Sequence, residues 1–476
     1  MIPARRSLIL ALAVFCGLPA IAGADETEAT LQSYAAGYKA GFVCSAHFNA
    51  GKDYDAIVAD ELSGIYPEIA DRVAALPAPV IDEENRRVSV AWSDRLPPRI
   101  AQWRPRLGCV HLPVGGDMAM ADALKDIPLP PRDPARERTD DGAPWSRHAV
   151  VNGPSGNDAL DAAIARAFTG GYGHDAKTSA ILIADREAIL AERYAPGFSP
   201  TMPQRTWSVA KSILASVIGA AIAQDLIALD EPAPIPEWSR PHDPRRAITL
   251  AHLLQMASGL DSDRAGNRTD RLYMGGGLVT ETATAASLET APGTRWKYAN
   301  NDTLLAARAL RAAIGDDAAY LAFPFETLLD PLGMTHSWLE TDWDGNFILS
   351  SQVWTTARDL ARLGLLYLDD GVWNGRRLLA EGWVRYVATP APAQPPLAGP
   401  DGSPRPGYGA QWWLSDSRFP GLPDGVFSAR GNRGQYLVIV PSAGLVIVRR
   451  GYDPAGGEGF APEAFVADVL AALDAE

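Results

Sequence analysis

Ser208 and Lys211 are the pair most able to do chemistry, in the run Trp207-Ser208-Val-Ala-Lys211-Ser-Ile-Leu-Ala-Ser-Val-Ile-Gly-Ala-Ala-Ile-Ala223. After Lys211 this run carries no charge for over three helical turns and is apolar on every face, which predicts a helix buried on all sides. A lysine in the first turn of such a helix is costly unless it is paired or its pKa is lowered. Ser208 lies one turn earlier on the same face, so a hydroxyl stands beside a potential base. The helix N-terminus there favours developing negative charge. S-x-x-K alone arises readily by chance in a chain of this length; its company raises it.

The second element is Pro292-Gly-Thr-Arg-Trp-Lys-Tyr298-Ala-Asn300, about ninety residues downstream, read as a turn and a short extended run. At spacing two, Tyr298 and Asn300 point the same way. A tyrosine near an ammonium is expected to ionise well below ~10 and serve as general base. An asparagine there would hold a substrate carbonyl or orient the lysine. The third element, Ala429-Arg430-Gly431-Asn432-Arg433-Gly434-Gln435-Tyr436, opens a strand with glycines, which let a ligand approach the backbone closely. A free N–H there would complete an oxyanion hole with the N–H of Ser208. A plain turn is the competing reading.

These elements need a frame. Asn157 to Phe168 reads as a helix, and Ser179 to Ala184 with Ala188 to Tyr194 reads as a hairpin. Gln435 to Val440 and Leu445 to Arg449 form a second hairpin around Pro441-Ser-Ala-Gly444, followed by a helix from Pro462 to Leu473. Strands at both ends with helices between predict an α/β (α+β) fold: one antiparallel sheet built from both chain ends, flanked by helices, with an inserted helical subdomain. Before it, Glu26 to about Met120 is mixed, with a helix through Tyr34 to Phe42 and strand-like runs Arg87 to Trp92 and Ile100 to Trp103. A stretch rich in Pro and charge then marks a boundary. The expected division is a signal peptide over 1–24, an N-terminal accessory extension over 25–125, a linker over 126–146 and a catalytic domain over 147–476.

Arg5 and Arg6, the apolar stretch Leu8 to Leu18 and the small residues Ala20, Ala22 and Ala24 read as an export signal cleaved near residues 22–24, placing the mature chain in the periplasm or outside the cell. The apolar run is too short to span a bilayer, so no stable membrane insertion is expected. Removing the signal leaves Cys44 and Cys109, an even pair that in an oxidising compartment predicts a disulfide. With formal charge −14 and no Lys/Arg-rich run, nucleic acid is excluded as a partner. No C-x-x-C or H-E-x-x-H occurs, so neither a metal nor any other cofactor is expected. No G-x-S-x-G occurs either, which disfavours a nucleophile elbow. Gly171 to Ala176 fits G-x-G-x-x-A but follows a helix, so it reads as a turn. His252 reads as a satisfied core residue.

In order and spacing the three elements resemble the serine β-lactamase and penicillin-binding-protein superfamily, in its class C branch with S-x-x-K, Y-x-N and K-T-G. The runs Ile248 to Leu260, Asp330 to Met334 and Ala357 to Gly364 look like the same branch. The resemblance, which covers Asn157 to Glu476, implies Ser208 as nucleophile, Lys211 and Tyr298 as the proton-transfer pair, and Asn300 as a positioning residue. It implies an oxyanion hole from the N–H groups of Ser208 and Asn432. Ala429-Arg430-Gly431 departs from K-T-G, lacking the lysine and hydroxyl that meet a β-lactam carboxylate. The A-x-G-x-x-G-Q form, with D-x-A-R-L-G and Gly371 to Gly375, is closer to 6-aminohexanoate-dimer hydrolases and related carboxylesterases. The expectation is an exported serine hydrolase acting on a small ester or amide through an acyl-serine. The alternatives are a penicillin-recognising or cell-wall-binding protein acylated without turnover, or a true β-lactamase or D-amino-acid peptidase. Tyr273, Arg430 and Gly431 are further candidates for substrate contact, Tyr273 from a loop spanning Asp261 to Gly277 that also holds Asp263, Arg264, Arg268, Asp270 and Arg271.

Overall fold

A computed structural model describes residues 22–124, 150–262 and 265–474. The expected signal and linker lie almost wholly outside the described residues, as do Asp263 and Arg264.

The central sheet has seven antiparallel strands drawn from both ends of the region after residue 150. Its order runs Gly407–Tyr408, Trp413–Ser415, Val426–Gly431, Gln435–Val440, Leu445–Gly451, Thr178–Ala184, Ile189–Tyr194. Late and early strands meet where Leu445–Gly451 pairs with Thr178–Ala184, Ile447 opposite Ile183. Successive side chains on a strand face opposite ways, and here both faces are covered. Leu182, Leu437, Ile439, Val446 and Val448 join the cluster around the helix Val209–Ile222. Ile181, Ile183, Val438 and Ile447 join the cluster under the helices Asp158–Phe168 and Pro462–Asp474. Two covered faces explain why these strands read as continuous apolar runs rather than alternating ones. The inserted region supplies helices including Leu250–Leu254, Ala265–Tyr273, Asn300–Ile314 and Asp317–Pro324.

Two local expectations are corrected. Asp261 to Gly277 is not simply a loop, because Ala265–Tyr273 within it is helical. The extended run at Tyr298 stops at Ala299, and Asn300 is the first residue of the helix Asn300–Ile314.

The N-terminal segment carries its own four-stranded antiparallel sheet, Val80–Asp82, Arg87–Val90, Arg99–Arg104 and Gly108–His111, paired in sequence order. The helix Ala22–Phe48 packs on it, longer than the stretch predicted. Cys44 on that helix is disulfide-bonded to Cys109 on the last strand. This layer's apolar cluster also takes in Trp207, Met274 and Trp354 from the rest of the chain. Polar ties cross the same seam: Glu340 accepts from Ser45 Oγ at 2.5 Å, and Arg106 pairs with Asp330 at 2.6 Å. Among the described residues no helix is long and apolar enough to cross a membrane.

Candidate active site

Ser208 stands at the N-cap of the helix Val209–Ile222, on which every residue but Ile222 is buried. The sequence permits this because the helix is apolar all round and thins to glycine where space runs out: a Cβ at Gly219 would lie 2.6 Å from the Trp383 indole nitrogen. A serine at an N-cap ordinarily turns its hydroxyl onto the helix's free N–H groups. Ser208 has helical angles and makes no such bond, which leaves its hydroxyl free for other partners. Trp207 before it is held at φ +49°, a left-handed conformation unusual for a bulky residue.

Lys211 is 1% exposed and donates to three acceptors: Ser208 Oγ at 3.1 Å, Asn300 Oδ1 at 2.6 Å and the Ser350 carbonyl at 2.7 Å. None is an anion, so nothing offsets the loss of water around the ammonium. Burial lowers its pKa from the ordinary 10.5 to about 7. Tyr298 covers the same ammonium, its ring centroid 5.1 Å from Nζ. The expected ionisation of Tyr298 below the ordinary tyrosine value is overturned. Burial drives its pKa up, and the hydrogen bond with Ser208 offsets only part of that rise. Nearby neutral dipoles do not hold a phenolate in an apolar setting. The lysine is therefore the group poised to lose a proton near neutrality, and the phenol keeps its own.

Asn300 touches the lysine, and its amide nitrogen reaches Thr269 Oγ1 at 3.4 Å. Tyr273 is one step removed: its hydroxyl meets Ser350 Oγ at 2.5 Å, the residue whose carbonyl takes Lys211, and burial pushes its pKa to about 12.

Gly431 ends the strand Val426–Gly431, where a Cβ would lie 2.2 Å from the Thr206 carbonyl and 3.2 Å from the Ser208 nitrogen. Only glycine allows this strand end to lie against the turn that carries Ser208. The next residue, Asn432, opens the turn to Gln435–Val440. Neither the Ser208 N–H nor the Asn432 N–H has an acceptor among the described residues. Arg430 is held by an ion pair with Glu463 and by hydrogen bonds to Ser428 Oγ at 2.9 Å and Ser415 Oγ at 3.0 Å. Its charge is already partnered.

Ser208, Tyr298, Arg430, Gly431 and Asn432 line one cleft of about 360 Å³ with Pro406, Trp413 and Tyr436. Trp413 stacks on Tyr298, centroids 5.5 Å apart. A larger cleft of about 620 Å³, lined by Tyr34, Trp92 and Trp343 among others, includes none of the Ser208 group. The structure thus gathers Ser208, Lys211, Tyr298, Asn300, Arg430, Gly431 and Asn432 in one place, while Cys44 and Cys109 lie in the N-terminal layer. Sequence reasoning missed Ser350, whose contribution is a backbone carbonyl with no signature. It also missed Trp413 and Tyr436, which are ordinary aromatics until the sheet aligns them. His252 Nδ1 accepts from the Thr249 N–H and caps its own helix.

Comparison with known proteins points the same way. The family model described as Beta-lactamase matches residues 160–449. A 6-aminohexanoate-dimer hydrolase of Paenarthrobacter ureafaciens is 28% identical over 310 residues, 57% of this chain and 72% of that protein. Among solved structures, a Bacillus anthracis protein assigned as a 6-aminohexanoate-dimer hydrolase superposes with a TM-score of 0.52 at 24% identity, over 65% of this chain and 80% of its own. A family VIII carboxylesterase superposes with a TM-score of 0.51 at 15% identity, over 68% of this chain and 98% of its own. With the matched stretch enclosing Ser208, Lys211, Tyr298 and the glycine-bearing strand end, the chain belongs to the beta-lactamase family.

Proposed function

We propose that this chain is an exported serine hydrolase that cleaves small, largely uncharged esters or linear amides through an acyl-enzyme on Ser208. The observation that carries the reading is Lys211, buried without an anionic partner, its pKa near 7, its Nζ 3.1 Å from the Ser208 hydroxyl. A lysine lowered to this range reaches its unprotonated form near neutrality, which suits a general base. In this reading Ser208 Oγ forms a bond to the acyl carbon as its proton passes to Lys211 Nζ. Tyr298, kept protonated, gives its proton to the departing oxygen or nitrogen and regains one from Lys211. Water then repeats the sequence and frees Ser208. In this reading the N–H groups of Ser208 and Asn432, neither of which has an acceptor among the described residues, hold the developing oxyanion. Asn300 keeps the lysine oriented.

Choice of substrate rests on the third element. Where a K-T-G strand offers a lysine and a hydroxyl to a ring carboxylate, Ala429 is buried and Arg430 is bound to Glu463. Losing one charge-assisted contact costs on the order of 1.5–3 kcal/mol, a factor of ten to a hundred against β-lactams. The aromatic walls Tyr298, Trp413 and Tyr436 favour an apolar acyl chain. Export is supported by the Cys44–Cys109 disulfide, which belongs to an oxidising compartment. We take residues 25–125 as an accessory unit, 126–146 as a linker and 147–476 as the hydrolase. The deciding experiment compares kcat/KM for a p-nitrophenyl butyrate ester, a linear 6-aminohexanoate amide and nitrocefin on one preparation. Ester or amide should lead by tenfold or more. A preference for nitrocefin, or a single stoichiometric burst with every substrate, would overturn the reading.

A further inference from the structure

The N-terminal segment touches both turns that carry the free N–H groups of the active site. We infer that the stretch Asp60 to Tyr66 holds the oxyanion hole in shape, with Tyr66 and Arg433 as its positioning residues; this rests on the reading of Ser208 as nucleophile. Arg433 follows Asn432 and sits at φ +58°, 7% exposed. Its guanidinium donates to the Asp60 carbonyl and to the Ser63 carbonyl, both at 2.7 Å, with longer bonds to the carbonyls of Tyr452 and Asp453 at 3.4 and 3.3 Å. A buried guanidinium whose hydrogen bonds all go to backbone carbonyls is a clamp between two chain segments, and this one also lies over the Tyr452 ring, 5.3 Å from its centroid. The Ala455 N–H adds a third tie, to the Gly64 carbonyl at 2.9 Å.

Tyr66 reaches Asn432 and the residue before Ser208 at once. Its hydroxyl accepts from the Asn432 side chain at 3.5 Å, and its ring stands edge-on to Trp207, centroids 6.1 Å apart. Phe42 of the same layer contacts Trp207 at 5.7 Å, and the Arg205 guanidinium lies 4.1 Å from the centre of its ring. A left-handed tryptophan persists only when its surroundings over-determine it. Without the N-terminal aromatics Trp207 is free to relax, and the Ser208 N–H turns with it. Because an oxyanion hole stabilises charge only when its donors are already aimed, small displacements fall on the chemical step rather than on substrate binding.

The test uses the full chain and four variants, Tyr66→Ala, Tyr66→Phe, Arg433→Met and Ser208→Ala. The readouts are kcat and KM on p-nitrophenyl butyrate, and the rate of Ser208 labelling by a fluorophosphonate probe followed by mass spectrometry, each per folded molecule. Tyr66→Ala and Arg433→Met should lower kcat and the labelling rate tenfold or more, with KM within about threefold. Tyr66→Phe, which keeps the ring, should stay within threefold of the unmodified chain. If Tyr66→Ala retains its rates within twofold, or its loss lies in KM, the inference is wrong; a Tyr66→Phe variant as slow as Tyr66→Ala would place the positioning on the hydroxyl contact with Asn432 and overturn the role given to the ring against Trp207. Should Arg433→Met not fold, the Tyr66 pair alone decides. Labelling away from Ser208, or undiminished turnover in Ser208→Ala, would instead sink the nucleophile assignment on which the inference stands.

Discussion

Lys52 and Lys211 are both buried, at 4% and 1% exposure, yet burial leaves them in opposite states. Lys52 lies at the seam between the N-terminal layer and the central sheet, where its ammonium meets Tyr452 Oη at 2.8 Å, Asp60 at 3.0 Å and Glu61 at 3.1 Å. Desolvation alone would lower its pKa, but Tyr452, Glu61 and Asp60 outweigh it and the pKa rises. Lys211 has three neutral acceptors instead, and its pKa falls to about 7. The partner's charge, not depth, decides which way burial moves a lysine's pKa.

The sharpest way to break this comparison is at Lys211's neighbour. Ser208→Ala should reduce kcat/KM by about four orders of magnitude or more, with the fold intact by circular dichroism. Lys211→Met and Tyr298→Phe should each cost about 10²–10⁴, and the double variant should lose far less than the product, because the groups act as a unit. Full additivity in that cycle would mean they do not share one proton path.

How far these roles can be read in advance differs between the two lysines. Ser208 and Lys211 are legible because a lone charge in an all-apolar run contradicts its surroundings, and the strands of the central sheet are legible because both faces are covered. Lys52 gives no such signal. It stands in an ordinary polar turn, Gly51-Lys52-Asp53, and its role depends on Tyr452, 400 residues away. Arg433 is hidden likewise, since its acceptors are main-chain carbonyls with no residue identity. The raised pKa of Tyr298 was missed for a related reason: the sequence shows the ammonium nearby but not the exclusion of water. Enclosure is a tertiary property.

Lys52→Met tests the other half. Removing one member of a buried ionic cluster leaves the Asp60 and Glu61 carboxylates uncompensated and should cost roughly 3–5 kcal/mol in urea unfolding. Opening the disulfide by Cys44→Ala with Cys109→Ala should cost about 4 kcal/mol in the chain-entropy model, read by the same titration. A loss near zero in either would show that the N-terminal layer contributes little to stability.

The smallest effect is also the most specific. In the proposed mechanism Lys211 must be neutral to act, so kcat/KM should rise with pH through about 7 and level off above it. The lysine loses its proton as pH climbs, so activity falls on the acid side. Lys52→Met should lower stability without moving that limb, since its charge is not part of the Lys211 environment. A limb displaced by a full unit in Lys52→Met would erase the distinction between the two lysines.

The pairing of Leu445–Gly451 with Thr178–Ala184 has a consequence for how the molecule is made. The N-terminal strands pair with their immediate sequence neighbours, so that sheet can pair as soon as it is synthesised, although its apolar cluster is completed by later residues. The central sheet cannot, because the strand that joins its early and late parts, Leu445–Gly451, is among the last to emerge. Until Leu445–Gly451 is in place, Thr178–Ala184 and Gln435–Val440 each present an apolar edge with unpaired N–H and C=O groups, a template for pairing with other chains. A chain stopped short of Leu445 should therefore aggregate rather than work slowly, and bringing Asn432 up to the cleft of Ser208 belongs to the closing moments of folding.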